Sequence, residues 1–175
     1  MVRTVLGIAL LVLAACHGRF GDRTSERDKE LDNFAEARQR AAIYYDGKDY
    51  IRAALQYQKA LKYRPDHFPS RMGYGYSLMY SNQPSSLVEA ENVFVKMGKR
   101  PEPRDEVKRV YGLGLTYLGL ARTYDRRGRF REDKGRKDLA VKDRAQARKY
   151  ADAALQQCQS VLKIDAALAD QKILA

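Results

Sequence analysis

The segment "YYDGKDYIRAALQYQKALKYRPD", Tyr44 to Asp66, decides the fold. Small and aromatic residues recur in it every three or four positions, at Tyr50, Ala53, Tyr57 and Ala60. This spacing places them on one face of a helix. Gly47 precedes the run and Pro65 follows it, and both residue types end helices. The segment therefore predicts a helix over about 49–63, preceded by the end of another helix near Gly47.

This pattern resembles the tetratricopeptide repeat, a helix–turn–helix unit of 34 residues. With Pro65 as the closing proline, the second helix matches at the four positions above, and Tyr44 and Ala41 match in the first helix. Arg40 departs from the pattern at a usually apolar position, and Gly47 comes one residue early. The resemblance implies an all-α fold in which helical hairpins stack into a solenoid.

Two further units follow the first, which covers about 34–67. The second, about 68–101, is degenerate: "SNQPSS" (81–86) predicts a turn with about three extra residues, and Ser86 with Glu89 predicts a capping box. The third is longer, with helices expected over roughly 105–127 and 137–164. We therefore expect about three repeats with the last hairpin elongated, near the minimum for a stable stack.

In the family that the chain resembles, ligands lie in a concave groove lined by the first helices. The resemblance places these residues in that predicted groove: Arg38, Ala42, Tyr45, Asp46, Met72, Tyr76, Met79, Tyr80, Tyr111, Leu115, Leu118, Arg122 and Arg126. Tyr, Met and Arg are enriched at protein interfaces. Such a groove suits a peptide or helix with apolar anchors and a carboxylate. The alternative is that half of these side chains only pack between helices.

Positive charge is concentrated at the end of the third hairpin. Residues 122–149 carry 12 Lys and Arg against 5 Asp and Glu, a net of +7 out of +11 for the whole chain. We call the predicted basic patch the basic tip; it consists of Arg127, Arg129, Arg131, Arg136 and Lys137. It could contact an anionic lipid surface, an acidic protein or a wall polymer. The alternative is a solvated hairpin with charge pairs along the helices.

The chain begins like an exported protein. Arg3 is followed by an apolar run from Val5 to Ala15, which is the layout of a secretory signal and is too short to span a bilayer. Leu13, Ala14, Ala15 and Cys16 resemble the bacterial lipobox. That resemblance implies cleavage before Cys16 and attachment of a diacylglyceryl group and an acyl chain such as palmitate. The alternatives are an ordinary cleaved signal or an uncleaved anchor.

These features predict three regions: a signal peptide over 1–15, a flexible tether over 16–25 and a helical domain over 26–175. The residue after Cys16 is His17 rather than the Asp that often retains lipoproteins of enteric-type bacteria at the inner membrane. In a bacterium that has an outer membrane, the resemblance therefore favours a protein of that membrane that faces the periplasm.

Chemistry-bearing motifs are absent from the sequence. It contains no nucleophile elbow, phosphate loop or CxxC, and only two histidines, so we expect no catalysis, no cofactor and no metal site. Cys158 is expected to be a small buried thiol. No DNA-binding motif accompanies the positive charge, and an exported protein is not expected to bind nucleic acid.

The sequence thus predicts a lipid-anchored, non-catalytic scaffold that binds a protein or peptide partner in the cell envelope, as small lipoproteins of this type do when pili, secretion pores or outer-membrane machinery assemble. It leaves open the partner, the oligomeric state and the alternative function, which is binding to an anionic surface through the basic tip.

Overall fold

The computed structural model describes the backbone of residues 3–173 and the side chains of residues 25–167. Within this part of the chain the fold is all-α, with no strand. The six helices are α1 (Arg3–Asp46), α2 (Tyr50–Tyr63), α3 (Phe68–Ser81), α4 (Pro84–Lys96), α5 (Pro103–Asp133) and α6 (Lys137–Ile173).

The helices form three antiparallel hairpins stacked in chain order. Each hairpin joins consecutive helices, α1 with α2, α3 with α4 and α5 with α6, and the next hairpin packs on it through α2 with α3 and α4 with α5. α5 also contacts α3. The prediction of a helical-hairpin solenoid is confirmed, and so is the elongated last hairpin, whose helices have 31 and 37 residues.

The core lies between the second and third hairpins. Phe94 and Leu87 of α4 are fully buried, and Leu78 of α3 and Leu113 and Leu120 of α5 pack in the same cluster. A smaller cluster between α1 and α2 contains Phe34, Ala37 and Ala60. Because apolar burial contributes most of the folding free energy, α4 is the central element of the fold.

Glycines let the hairpins approach one another closely. A Cβ atom on Gly112 of α5 would lie 2.6 Å from the ring of Phe94, and one on Gly75 of α3 would lie 2.8 Å from the same ring. The ring of Phe94 therefore occupies the space that side chains would take on both neighbouring helices. No larger residue fits at either position while the ring stays in place.

The N-terminal ends of α2 and α4 are stabilised in different ways. α2 is capped by Asp49, whose side chain accepts a hydrogen bond from Arg52 N at 3.1 Å, close to the predicted start. The capping box at Ser86 is wrong. α4 begins at Pro84, which suits a first helical position, and the turn before it is short because Asn82 adopts a left-handed conformation with φ 53°.

From residue 3 onwards, the predicted signal peptide and tether fall in the first part of α1. The side chains of residues 1–24, including that of Cys16, lie outside the described residues. No helix in the described part of the chain has a stretch long and apolar enough to cross a membrane.

Candidate functional site

Four tyrosines from three helices form a cluster on the surface of the first two hairpins. They are Tyr45 of α1, Tyr50 of α2, and Tyr76 and Tyr80 of α3, which we call the tyrosine cluster. The ring of Tyr80 is central: its centroid lies 5.1 Å from that of Tyr50, 6.1 Å from that of Tyr45 and 6.2 Å from that of Tyr76. These are ordinary stacked and edge-to-face separations.

The members of the tyrosine cluster differ in their exposure. Tyr76 is a bridging residue, because its hydroxyl donates a hydrogen bond to Lys108 O of α5 at 2.7 Å and its ring contacts that of Phe94 at 5.5 Å. Tyr80 is 43% exposed and makes no bridge of this kind in the described part of the chain. Tyr80 is therefore the member that a partner can reach, while Tyr76 holds α3 against α5.

Burial raises the pKa of two members of the tyrosine cluster, Tyr45 and Tyr76. Partial burial, and then the neighbouring hydroxyls of Tyr80 and Tyr50, raise the pKa of Tyr45 to about 12. Burial and the nearby Tyr80, Tyr45 and Tyr111 raise the pKa of Tyr76 well above its usual range as well. Both phenols are neutral at physiological pH, so these two residues offer apolar rings with uncharged hydroxyls.

A shallow cavity of about 390 Å³ borders the cluster beside Tyr80. It is lined by the turn between α1 and α2, over residues 47–51, together with Tyr80 and Ser81 at the end of α3. Tyr50 was predicted as a repeat-pattern position of α2 and not as a groove residue, yet its ring forms part of this surface. Its position next to the turn, at the first residue of α2, is the signal that distinguishes it from the aromatic residues inside the helix.

The other groove predictions divide into three groups. Arg38 is exposed on α1, with its guanidinium 5.5 Å from the ring centre of Phe34. Met72 and Met79 are buried in the core cluster to which α2, α4 and α5 also contribute, so they are not exposed in a groove. Arg122 and Arg126 are exposed on α5, where Arg122 lines a cavity with side chains of α6 and lies away from the tyrosine cluster.

The basic tip is less free than its composition suggests. The buried carboxylate of Asp143, 3% exposed, accepts hydrogen bonds from Arg127 Nε at 2.9 Å and Arg127 Nη2 at 2.6 Å, and Arg131 Nη1 lies 2.9 Å away. Arg129 pairs with Asp125 at 2.6 Å. Three of the five predicted arginines and lysines are thus engaged within the hairpin.

The remaining two members, Arg136 and Lys137, are exposed and have no ion pair among the described side chains. The hydrogen bonds from Arg127, with the charges of Arg127 and Arg131, outweigh burial and hold the pKa of Asp143 below its usual range. Asp143 is therefore ionised at neutral pH and connects α6 to α5. No local sequence pattern indicates this pairing, because the partners of Asp143 lie 16 and 12 residues away along the chain.

Cys158 is exposed, in contrast to the expected buried thiol. It lies in an open apolar groove between α5 and α6, where no further helix among the described residues covers it. Within the described side chains, no group of three His, Cys, Asp or Glu could hold a metal ion.

Comparison of the chain with known proteins gives no match among protein families, curated proteins or solved structures.

Proposed function

We propose that the protein is a non-catalytic scaffold of tetratricopeptide type that is anchored to the envelope by lipid at Cys16 and binds a protein partner through the tyrosine cluster. The observation that carries this proposal is the position of Tyr80, half-exposed at the centre of rings from α1, α2 and α3. A surface built jointly by two hairpins requires the stack to be formed, which couples binding to the repeat architecture.

The chemistry of this surface suits an apolar or aromatic anchor on a peptide. Tyrosine rings provide a large contact area at low cost in conformational entropy, and their hydroxyls can hydrogen-bond to a peptide backbone. Arg38, on the same helix as Tyr45, supplies an exposed guanidinium for a carboxylate. These groups favour an extended or helical protein segment over a small polar metabolite. No nucleic acid is expected to bind.

The alternative is an anionic-surface binder acting through the basic tip. The ion pairs of Arg127 and Arg131 with Asp143 reduce its support, since charges neutralised within the hairpin add little attraction to a membrane. Only Arg136 and Lys137 of the patch are left for that role.

A photo-crosslinking amino acid at Tyr80 tests the scaffold function. We expect p-benzoylphenylalanine at this position to give a discrete crosslinked product with an envelope protein in living cells. The matched control is the same amino acid at Val95, which is 52% exposed on α4. Crosslinks of equal yield and identity at both positions, or none at Tyr80, would contradict binding at the tyrosine cluster. Tyr76 is unsuitable because its removal also loosens the contact between α3 and α5.

Metabolic labelling with an alkyne analogue of palmitate tests the anchor. We expect the wild type to carry the label and Cys16→Ser to carry none, because the acyl chains attach at that residue. Two or more chains give a lasting anchor where one is marginal, so Cys16→Ser should also leave the membrane pellet in cell fractionation. Cys158→Ser is the matched control and should label like the wild type. Label retained in Cys16→Ser would rule out this anchor.

A further inference from the structure

The side of the third hairpin that faces away from α4 carries an open apolar groove. This end groove has a volume of about 480 Å³ and lies between α5 and α6. Its most exposed apolar side chains are Leu155 and Leu162 of α6, 59% and 68% exposed, opposite Tyr111 and Leu118 of α5. A solvent-facing surface of this kind on a folded domain marks an interaction site.

The first two hairpins show how the stack covers such a groove. Beside the first hairpin, α3 packs on α2 with Gly73 against the ring of Tyr57, and this ring fills the space that a Cβ atom on the glycine would take. Beside the second, α5 packs on α4 with Gly112 against Phe94 and Gly119 against Leu87. In both places a helix with small residues on its contact face receives large apolar side chains from the second helix of the hairpin.

Nothing in the described part of the chain plays this role for the third hairpin. α6 continues as helix from Leu162 to Ile173, which at 1.5 Å per residue carries the backbone about 16 Å past the end groove without turning back. Leu155 and Leu162 occupy the same side of their hairpin as Tyr57 and Phe94 do in the preceding ones, and no helix lies against them among the described residues.

The end of the groove nearest the tip of the hairpin is cationic. There the groove continues, past Ala151, into a cavity of about 360 Å³ lined by Arg122, Arg144 and Arg148. Arg144 pairs with Glu132, and Asp125, the carboxylate in this lining, pairs with Arg129 at 2.6 Å. Arg122 and Arg148 are exposed and have no ion pair among the described side chains, so they are available to a ligand at this end.

We propose that the end groove binds an amphipathic helix of a partner protein that has small and apolar residues on its contact face and acidic residues near its C-terminus. The polarity follows from the alternation of the stack: a helix that extends it runs parallel to α5, so its C-terminal turns lie over Arg122 and Arg148. Carboxylates there would pair with these guanidinium groups. The site is separate from the tyrosine cluster and does not depend on the function proposed for it.

A second copy of the chain is the other candidate occupant. Its α1, laid parallel to α5, would bring the end at Asp46 near Arg122. The preceding turns of α1 carry Arg38 and Arg40, so the charge at this end of the helix is mixed. A partner helix with several carboxylates at its C-terminal end matches Arg122 and Arg148 more fully than this mixed sequence does. We therefore assign the groove to a partner helix, and self-association is one outcome of the test.

Two synthetic helical peptides test this proposal. Both have an alanine and leucine stripe at helical spacing, and they differ only in their last two turns, which contain either four glutamates or four lysines. We expect the glutamate peptide to bind the full-length protein in fluorescence anisotropy at least tenfold more tightly than the lysine peptide. Bound peptide should also slow the alkylation of Cys158 by iodoacetamide, measured at that residue by mass spectrometry, because the thiol lies in the end groove.

The variant Leu155→Ser/Leu162→Ser should weaken binding of the glutamate peptide at least tenfold, whereas Val141→Ser, an exposed apolar residue of α6 outside the groove, should leave it unchanged. Both variants alter exposed side chains, and circular dichroism checks that each stays folded. The proposal is overturned if the glutamate peptide fails to bind, if both peptides bind equally, or if the double variant binds like the wild type. Self-association in sedimentation velocity that the double variant abolishes would assign the groove to a second copy and overturn it too.

Discussion

Phe94→Ala should lower the free energy of unfolding by about 3–5 kcal/mol, the range for truncating a buried aromatic side chain. Phe94 is fully buried on α4, and its ring contacts α3 at Gly75, α5 at Gly112 and the ring of Tyr76. Its loss removes the contact shared by the second and third hairpins. Urea unfolding followed by circular dichroism measures the change.

The same ring makes the effect of Gly112→Ala depend on residue 94. In a helix interior, alanine is favoured over glycine by about 1 kcal/mol. With Phe94 present, however, the new Cβ would lie 2.6 Å from a ring that Gly75 confines from the other side. We expect Gly112→Ala to destabilise the wild type and to stabilise the Phe94→Ala variant, where the clash is gone. The double-mutant cycle should therefore give a coupling energy above 1 kcal/mol.

Additive effects in that cycle would show that the ring moves aside freely, and that α4 does not hold the hairpins together through this contact. Gly119→Ala is an informative comparison, because its Cβ would approach the flexible end of Leu87 rather than a ring, at 2.9 Å. It should cost less than Gly112→Ala.

The stacking of the hairpins could be predicted from sequence because it depends on local signals. Small and aromatic residues at helical spacing, with Pro65 and Gly47 at the ends, define the first hairpin, and the long run without Pro or Gly from Lys137 defines the last helix. Each signal acts within a few residues of where it is found, so the number of hairpins and the length of the third could be inferred.

The surface of the fold was harder to predict, because it depends on how each helix is rotated against its neighbours. Met79 and Tyr80 are adjacent in sequence and were assigned to the same groove, yet Met79 is buried and Tyr80 is exposed. A rotation of one residue position, about 100°, separates the two outcomes. Degenerate sequence in the second unit left this rotation undetermined. The ion pairs across the last hairpin could not be predicted either, because they depend on the register between α5 and α6.

Removing the arginine partners of Asp143 on α5 should also lower the stability of the protein. The variant Arg127→Met/Arg131→Met should lose about 1–3 kcal/mol of stability, because it leaves a buried carboxylate without its cationic partners, which are themselves partly exposed. Adding Asp143→Ala should restore most of that loss, since the uncompensated charge is then removed. Arg129→Met is the control: its pair with Asp125 is exposed, so the cost should be below about 1 kcal/mol. Equal losses of stability for the control and the double variant would contradict a stabilising role of the ion pairs between Asp143 and the two arginines.

The pH dependence of stability gives an independent test. The Asp143 contribution to the free energy of unfolding should change with pH in opposite directions in the wild type and in Arg127→Met/Arg131→Met. In the wild type the pKa of Asp143 is lower in the folded state than in the unfolded state, so its stabilisation is present above about pH 4 and is lost as the pH falls further. Without Arg127 and Arg131, burial raises that pKa in the folded state. The double variant should therefore gain stability relative to the wild type as the pH falls from 7 towards 4. Parallel stability curves over this range would show that Asp143 is not held ionised by these two arginines.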